Sequence, residues 1–573
     1  MAETLLSPGV LARENDQSFL TAQPVQAGAA ILGPTVKGPI VPTVVTTYSQ
    51  FQNTFGTTIL SGSDVYTYFT SIAAYNYFQQ GGDSLLVGRV TNGTYTAATS
   101  SIMPTGSGGP TSGLSPFVLE TLSKGTLMNT GTQELAGGAL ATGSADNIRW
   151  EITGTNTSSG TFSLLIRQGN DTNNAKSVVE TWSNLSLDPK SPNYIARVIG
   201  DQTQTIANDG TTYFVQTSGS YANASNYVRV KAVNFKTPDY FDNTGAAKAA
   251  YTGSLPVASS GSFNGATGTP FSQRTANFYE NISATDTQGV TGSDYTVMLN
   301  LLANQDEYQY NVISMPGLTK ADQSTEVTTM ISNAQSRGDN LAVVDLDGYG
   351  TALATVTAAA GGIDNSYAAA YWPWVQTVDP DKGDNVWVPA STLIPAVYAF
   401  NDNAAEAWFA PAGFNRGGLS TVVRAERKLT QGDRDTLYAA NVNPIATFPN
   451  QGVVVFGQKT LQKRASALDR VNVRRLLIEL KGYISQIADT LVFDQNSIAT
   501  RNSFLAQVNP YLESVQQRQG LYAFKVVMDE SNNTADVIDR NQLIGQIYIQ
   551  PTKTAEYIIL DFNVLPTRAT FPA

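Results

Sequence analysis

The sequence predicts a multidomain protein of mixed α/β (α+β) class, with an α/β core, a β-rich insertion and an extended strand near each end. Apolar strands and periodic runs of helix length alternate on both sides of residues 93–272. Within residues 93–272, short strands are separated by Gly, Asn and Ser turns. Near the ends, "SPGVLARE" and "AEYIILDFNVL" have strand patterns and nothing local to pair with. Together these three observations favour a layered core with inserted and extended parts.

The composition favours a protein that binds other proteins. The 573 residues suffice for several domains and at least one large core. Charged residues make up 14 %, well below the roughly 25 % of an average soluble domain. With 35 Lys and Arg against 46 Asp and Glu, the net charge of -11 argues against nucleic-acid binding through counterion release. We therefore expect no nucleic-acid partner.

Several kinds of site are excluded by the residues that the chain lacks. It has no Cys and no His, which removes disulfides, zinc-thiolate sites, and the commonest general base and metal ligand. We expect no enzyme activity, no cofactor and no metal. The start "MAETLLSPGV" lacks a signal peptide pattern, and no window holds 18 continuous apolar residues. We expect a soluble protein without direct membrane insertion.

The first part of the core begins with the strand "AGAAILGP" and ends with the strand "SLLVGRV". Between them, "DVYTYFTSIAAYNYFQQGG" predicts a helix closed by glycines, with Gly81 at the position of a C-terminal cap. Apolar residues recur along it at helical spacing: Tyr68, Phe69, Ile72, Tyr75 and Phe78. This part is a compact β/α segment.

The middle of the chain predicts one or two β-rich modules inserted into the first domain. Short alternating strands such as "NIRWEIT", "TFSLLIR" and "YVRVKAV" are separated by "GSGGPTSG" and similar runs. We interpret residues 104–115 as a flexible loop. "GSGGPTSG" also lacks the Lys-Ser/Thr ending of a phosphate-binding loop.

Beyond residue 293 the α/β alternation returns. "SDYTVMLNLLAN" predicts a helix, "YNVISMPG" a buried strand, "STEVTTMISNAQSRG" a helix followed by Gly338, and "NLAVVDLDG" another strand. A strand, helix and strand of these lengths favour a parallel βαβ unit.

The last 170 or so residues contain the clearest helix. In "SALDRVNVRRLLIELKGYISQIADTLVF", one face carries Val473, Leu476, Leu477, Leu480, Ile484, Ile487 and Leu491. Ser466 and Asp469 have the spacing of a capping box at its start. A second helix, "TRNSFLAQVNPYLESV", buries Phe504, Leu505, Val508 and Leu512, with a kink or restart expected at Pro510. The strands "LYAFKVVMD", "LIGQIYIQP" and "AEYIILDFNVL" follow.

Two acidic motifs are candidates for a catalytic site and a calcium site. Asp345 and Asp347 end an apolar strand, as in phosphotransferases that attack through an aspartate, but Tyr349 stands where those enzymes have Thr or Val. "DPDKGDN" resembles the start of a calcium loop, but Gly383 is at the fifth position and no Glu closes the loop. We favour a solvated strand end and a polar turn, respectively.

A basic cluster accompanies the long helix. Arg470, Arg474 and Arg475, with Lys481, are either solvated or paired within the chain, or they contact an acidic surface of another subunit.

Three stretches together resemble the tail sheath proteins of contractile-tailed bacteriophages. The first runs from "LLSPGVLARENDQS" through "AAILGPTVKGPIVPTVVTTYSQFQNTFG" to "AAYNYFQQGGDSLLVGRV". The second is "SYAAAYWPWVQTVDP" with "VWVPASTLIPAVYAFNDN" and "WFAPAGFNRG". The third is "SALDRVNVRRLLIELK" with "GLYAFKVVMDESNNTADVIDRNQLIGQIYIQPTKTAEYIILDF". The match covers roughly residues 1–92 and 366–565. Where the family commonly has Arg-Thr-Asp, this chain reads Phe400, Asn401 and Asp402, so the Arg is missing.

The resemblance implies a structural subunit without enzymatic activity. Such subunits stack as hexameric rings, or as a six-start helix, around a tail tube, and contraction drives the tube through the host envelope for genome delivery. Its partners would be further copies of itself, the tail tube protein, and the baseplate and tail terminator or neck proteins. It would be a virion component assembled in the host cytoplasm.

The family links neighbouring subunits by strand exchange through arms at both ends. We expect the N-terminal arm strand at Pro8, Gly9, Val10, Leu11, Ala12 and Arg13, and the C-terminal one at Tyr557, Ile558, Ile559, Leu560, Asp561 and Phe562. Both suit addition to a partner's sheet, and "NDQSFLTAQ" suits a hinge. Arg470, Arg474, Arg475 and Lys481 are candidates for tube-facing or inter-subunit contacts, and the helices between Asp469 and Val515 for the tube-proximal face.

The implied domain organisation follows the chain in six parts. These are an N-terminal linking arm (1–22), the first part of the sheath core (23–92), the β-rich outer insertion (93–272), the second part of the α/β core (273–390), a tube-proximal C-terminal domain (391–552) and a C-terminal linking arm (553–573). The alternatives are the sheath of a non-phage contractile injection system, a β-rich surface adhesin and an aspartate-dependent phosphotransferase.

Overall fold

The computed structural model describes residues 25–557, except for 62–63, 108–112, 130–133, 136, 211 and 270–277. The predicted arm residues Pro8–Arg13 and Ile558–Phe562 therefore lie outside the described residues. Within the described part, no helix has the length and apolar character needed to cross a membrane.

Strands make up much of the described chain. In chain order they are β1 (Val25–Gly33), β2 (Thr43–Val45), β3 (Thr58–Ser61), β4 (Asp64–Thr67), β5 (Leu85–Arg89), β6 (Ala97–Ser100), β7 (Phe117–Lys124), β8 (Ile148–Asn156), β9 (Thr161–Gln168), β10 (Val178–Ser186), β11 (Thr203–Asn208), β12 (Tyr213–Ser218), β13 (Val228–Val233), β14 (Ser259–Gly261), β15 (Phe263–Asn264), β16 (Tyr308–Thr319), β17 (Leu341–Asp345), β18 (Ala368–Trp372), β19 (Val375–Val378), β20 (Asn385–Val388), β21 (Val422–Ala425), β22 (Val442–Phe448), β23 (Gly452–Val455), β24 (Leu521–Val527) and β25 (Gln546–Pro551).

The helices cover most of the sheet connections in the core and dominate the C-terminal part. In chain order they are α1 (Tyr48–Phe55), α2 (Phe69–Gln79), α3 (Ile195–Ile199), α4 (Ala249–Thr252), α5 (Thr296–Leu301), α6 (Ser324–Arg337), α7 (Leu353–Gly361), α8 (Ile394–Ala404), α9 (Gln431–Ala439), α10 (Val471–Asp489), α11 (Ile498–Gln517) and α12 (Ala535–Asp539).

An eight-stranded sheet forms the centre of the core, in the order β2-β5-β1-β16-β17-β18-β22-β23. The six inner strands run parallel to one another, and the edge strands β2 and β23 are antiparallel to them. Because β1 reads "VQAGAAILG", the stretch Ala29–Leu32 is buried on both faces, as strands inside a parallel sheet are. The predicted βαβ unit is confirmed: α6 connects the parallel strands β16 and β17 and ends at Gly338, which has φ +74°.

The helix predicted after Asp64 begins later than expected. Residues Asp64–Thr67 form β4 and pair with β3, so that Tyr66 lies opposite Ile59, and α2 starts at Phe69. Tertiary pairing outweighs the helical periodicity of this stretch. The predicted C-terminal glycine is confirmed, since Gly81 has φ +86° and its N–H bonds the carbonyl of Phe78.

The predicted β-rich part is confirmed as two four-stranded sheets, β10-β9-β8-β14 and β13-β7-β6-β15, with the hairpin β11-β12. The two sheets share one apolar core in which the rings of Phe117 and Phe162 stack with centroids 5.4 Å apart. The buried Arg89 joins this part to the main sheet, because its guanidinium donates to the carbonyls of Gly38 and Lys124.

The C-terminal helices and the hairpin β24-β25 enclose a separate apolar cluster. Its buried members are Trp408, Leu476, Leu480, Ile487, Phe504, Val508, Leu512, Val515, Leu521 and Met528. The predicted second helix is one continuous helix, α11, which spans Pro510 without restarting.

The predicted capping box of the long helix is wrong. The Ser466 hydroxyl accepts from the N–H of Leu468 and caps a single 3-10 turn, Ala467–Asp469. Arg470 is extended and pairs with Lys459, and the N–H of Val471 bonds the carbonyl of Gln458. This short extended pairing separates the turn from α10, which begins at Val471.

Candidate functional site

Helix α10 carries the predicted basic residues between two apolar layers. Leu476, Leu480 and Ile487 pack against α11 and the hairpin, while Val471 and Ile478 pack against the main core. The helix therefore joins the C-terminal part to the eight-stranded sheet, and its basic side chains lie near that junction.

The buried Arg475 forms an ion pair with the partly exposed Asp402, which attaches α10 to α8. Its guanidinium donates to both carboxylate oxygens of Asp402, one at 2.9 Å, and lies 4.7 Å from the ring centroid of Tyr398. The hydroxyls of Tyr398 and Tyr371 bond each other at 2.7 Å. Burial alone would lower the pKa of Arg475, but the Asp402 carboxylate raises it above its ordinary value. Arg475 therefore keeps its charge.

Arg474 and Lys481 both contact Tyr367. The Arg474 guanidinium lies 3.9 Å from the Tyr367 ring centroid and donates to the Ser366 hydroxyl. The Lys481 ammonium donates to the Tyr367 hydroxyl over 3.2 Å. Burial lowers the pKa of Arg474. The structure therefore places these two cations against Tyr367, the residue before β18, within their own chain.

Arg470 holds the segment that leads to the predicted C-terminal arm. Its guanidinium donates to both carboxylate oxygens of Glu556 at 2.7 and 3.0 Å. The Tyr438 hydroxyl and the Gln458 amide also donate to that carboxylate. Burial alone would raise the pKa of Glu556, but Arg470 holds it below its ordinary value. The next residue, Tyr557, is 78 % exposed.

Immediately before this segment lies the antiparallel hairpin β24-β25. Within the described residues it is a sheet of two strands, so each strand has one edge with no strand beside it. One face is apolar, where Phe524, Val526 and Ile549 pack against the C-terminal cluster. The exposed face carries Tyr522 and Tyr548. Edges of this kind offer backbone groups to a further strand.

The two acidic motifs are structural. Asp345 is buried at the end of β17, where its carboxylate accepts hydrogen bonds from the backbone N–H and the hydroxyl of Ser391. Asp379 accepts from the N–H groups of Asp381 and Lys382, as the polar-turn interpretation predicts. Asp345 itself is buried rather than at a solvated strand end, because β17 lies inside the sheet. In the described ranges, no group of three or more acidic side chains is placed to hold a metal.

Sequence reasoning missed Asp402 and Glu556, the carboxylates that pair with Arg475 and Arg470. It also missed Tyr438 and Gln458, which donate hydrogen bonds to Glu556. Asp402 is 73 positions from Arg475, and Glu556 is 86 positions from Arg470. No local pattern links residues so far apart. Asp402 was the one with a signal, since it retains the Asp of the family pattern although Phe400 and Asn401 depart from it.

The buried Asp345 carboxyl should make stability depend on pH. Burial raises its pKa to about 7, against about 3.9 in an unfolded chain. Between these values the folded state binds more protons, so stability falls as pH rises from 4 to 7. In Asp345→Asn we expect urea unfolding to lose a pH dependence of a few kcal/mol over that range. The control Asp347→Asn should retain it, and an unchanged slope in Asp345→Asn would contradict this origin.

Removing the carboxylate of the buried pair should destabilise the chain. In Asp402→Asn the Arg475 guanidinium stays buried without its counter-charge, which we expect to cost about 2 kcal/mol after allowance for the partial exposure of Asp402. The matched control is Asp536→Asn, whose pair with Arg540 is largely exposed and should cost less than about 0.5 kcal/mol. Equal losses in chemical denaturation would show that the buried pair is not special.

Two family models match the chain. Residues 288–461 match the phage tail sheath protein central domain, and residues 464–565 match the phage tail sheath C-terminal domain. The tail sheath protein of Vibrio phage KVP40 is 36 % identical over 247 residues, 42 % of this chain and 36 % of that protein. The tail sheath protein of Enterobacteria phage T4 is 36 % identical over 230 residues, 40 % of this chain and 35 % of that protein.

The similarity to these relatives covers only part of their length. The matched region spans about a third of the length of these curated relatives, 36 % and 35 %. Among solved structures, the sheath tail protein Lin1278 from Listeria innocua covers 93 % of this chain and 96 % of its own with a TM-score of 0.52 and 11 % identity, a likeness of fold alone. Residues 288–461 and 464–565 are therefore similar to the central and C-terminal domains of phage tail sheath proteins.

Proposed function

We propose that the protein is a structural subunit of a contractile tail sheath and that its copies are joined by exchanged strands. The hairpin β24-β25 is the acceptor. The donors are Pro8–Arg13 and Tyr557–Phe562 of neighbouring copies. The observation that carries this proposal is the hairpin itself, a two-stranded sheet with no further strand beside either outer edge in the described part of the chain.

The hairpin is well suited to receive strands. Its apolar face is already buried against the C-terminal cluster, so an added strand would extend an anchored sheet rather than a free ribbon. The register is fixed by six residue pairs, from Leu521 opposite Pro551 to Val527 opposite Gln546. Backbone hydrogen bonds to such an edge supply affinity that depends little on side chains.

The chain leaves the hairpin close to the proposed donor strand. After β25, the segment Thr552–Tyr557 is held through Glu556 by side chains of Arg470, Tyr438 and Gln458. A donor strand that begins at Tyr557 would thus depart from a fixed point on its own subunit. Subunits linked in this way can rotate relative to one another while the links persist, as contraction requires.

The remaining features of the assembly follow as part of the same proposal. Copies form stacked hexameric rings, or a six-start helix, around a tail tube, and contract to drive the tube through the host envelope for genome delivery. The tail tube, baseplate, and terminator or neck proteins are the other partners. The protein is assembled in the host cytoplasm, becomes part of the virion, and has no enzymatic role.

The domain and site assignments are proposed in the same form. Residues 23–92 and 273–390 form the sheath core, 93–272 project outward, 391–552 lie near the tube, and 1–22 and 553–573 are the arms. The α10-α11 pair faces the tube. Arg470, Arg474, Arg475 and Lys481 support that face by fixing the position of α10 on the core. A sheath of a non-phage injection system has the same architecture and is the alternative.

Removing backbone N–H groups from the N-terminal arm should abolish the proposed strand exchange. In Val10→Pro with Ala12→Pro, the two prolines remove backbone N–H groups from the proposed donor strand. We expect a folded monomer that no longer forms tubes or rings in electron microscopy, with at least about a ten-fold loss of sedimenting polymer.

The matched control places the same number of prolines ahead of the strand, as Ala2→Pro with Thr4→Pro, and should polymerise like the unmodified chain. Circular dichroism and thermal unfolding establish that both variants fold. Normal polymers from the Val10→Pro and Ala12→Pro variant would refute strand donation by this arm.

A further inference from the structure

A short stretch before and at the start of α9 is rich in basic residues, in a chain whose net charge is -11. Between positions 416 and 434 the basic residues are Arg416, Arg424, Arg427, Lys428 and Arg434. Across the described ranges, none of them forms an ion pair with a carboxylate. Their charge is therefore available to a partner.

The carboxylates within this stretch are engaged elsewhere. Glu426 accepts from the N–H of Gly350 at 2.9 Å, and Asp433 accepts from the N–H of Thr430 at 3.0 Å. Hydrogen bonds from Thr430, and to a smaller extent the charge of Arg427, lower the pKa of Asp433. Arg427 is exposed, four residues before α9, and its guanidinium lies 5.9 Å from the ring centroid of Trp372.

Partly exposed aromatic rings adjoin Arg434. Arg434 lies 5.2 Å from the ring centroid of Phe448 and 5.9 Å from that of Phe456. Phe414 completes the group, 5.1 Å from Phe448, and is 50 % exposed, while Phe456 is 40 % exposed. We call Phe414, Phe456, Arg427, Lys428 and Arg434 the basic-aromatic surface. Arginines and aromatic rings exposed together are typical of protein interfaces.

The same chain carries a surface of opposite charge around α12. Asp529, Glu530, Asp536 and Asp539 are exposed there beside Ile538, which is 39 % exposed. Asp536 is paired only with the exposed Arg540, and Asp529 bonds Ser531 within a turn. We call these four carboxylates with Ile538 the acidic surface.

We propose that the basic-aromatic surface binds the acidic surface of a second copy of this chain. Complementary charge and an apolar residue on each side favour this occupant over an uncharged one. Because the contact joins two different patches, it is heterologous and repeats from copy to copy in an open array. The inference rests on the proposed self-assembly and adds to it a contact between folded surfaces, separate from strand exchange and weakened by salt.

A charge exchange in the full-length chain tests this contact. We expect Arg427→Glu with Lys428→Glu to reduce sedimenting polymer about ten-fold at moderate salt, and Asp536→Lys with Asp539→Lys to do the same. Combining all four substitutions restores opposite charges across the contact and should return assembly to within about two-fold of the unmodified chain. The control, Lys463→Glu with Arg464→Glu, reverses another exposed basic pair and should assemble normally.

Each outcome decides the proposal. Unchanged assembly of the Arg427→Glu and Lys428→Glu variant overturns it. Loss of assembly without rescue by the four-fold exchange also overturns it, since Arg427 and Lys428 would then contact a part of the neighbouring copy other than the acidic surface. Failure of the proline-substituted arm to impair assembly would refute strand exchange and leave the charge-exchange result decisive for this contact. An unmodified chain that never self-associates contradicts both.

Discussion

The open edges of the hairpin β24-β25 are the constraint on which the functional account depends. A strand edge presents backbone N–H and C=O groups that need partners, and a two-stranded sheet presents two such edges. Within the described residues no third strand lies beside the hairpin, and its apolar face is packed against the C-terminal cluster. A sheet that is anchored and incomplete is suited to accept strands from elsewhere.

The two edges of the main sheet are covered or short, unlike those of the hairpin. β23 is followed outward by the segment 413–419, in which Gly418 bridges Val454 and Leu419 bonds the carbonyl of Val453. At the other side, β2 has only three residues. Short or covered edges resist addition of further strands. The contrast between the two sheets favours the hairpin as the acceptor.

The attachment between these parts is polar as well as apolar. Arg475 and Asp402 connect α10 to α8, and Arg470 and Glu556 connect the start of α10 to the segment beyond β25. Truncating a buried partner costs more than the net value of the pair, so such pairs fix geometry more than they add stability. The C-terminal part is therefore positioned on the core by these pairs.

Much of the fold could be predicted from local sequence, and most of the site could not. The parallel β16-α6-β17 unit follows from strand and helix periodicity, and the β-rich part from its turns. The start of α2 differs from the prediction because the preceding residues pair with β3. The start of α10 differs because Arg470 pairs with Lys459. The partners of the basic residues lie 73 and 86 positions away, beyond the reach of any spacing rule.

Electron cryo-microscopy of the self-assembled chain tests the central claim most directly. The account predicts density for at least one strand from a neighbouring copy, hydrogen-bonded along an edge of β24 or β25 and traceable to residues 8–13 or 557–562. An assembled array in which both edges of the hairpin face solvent, or are covered by the subunit's own chain, would contradict it.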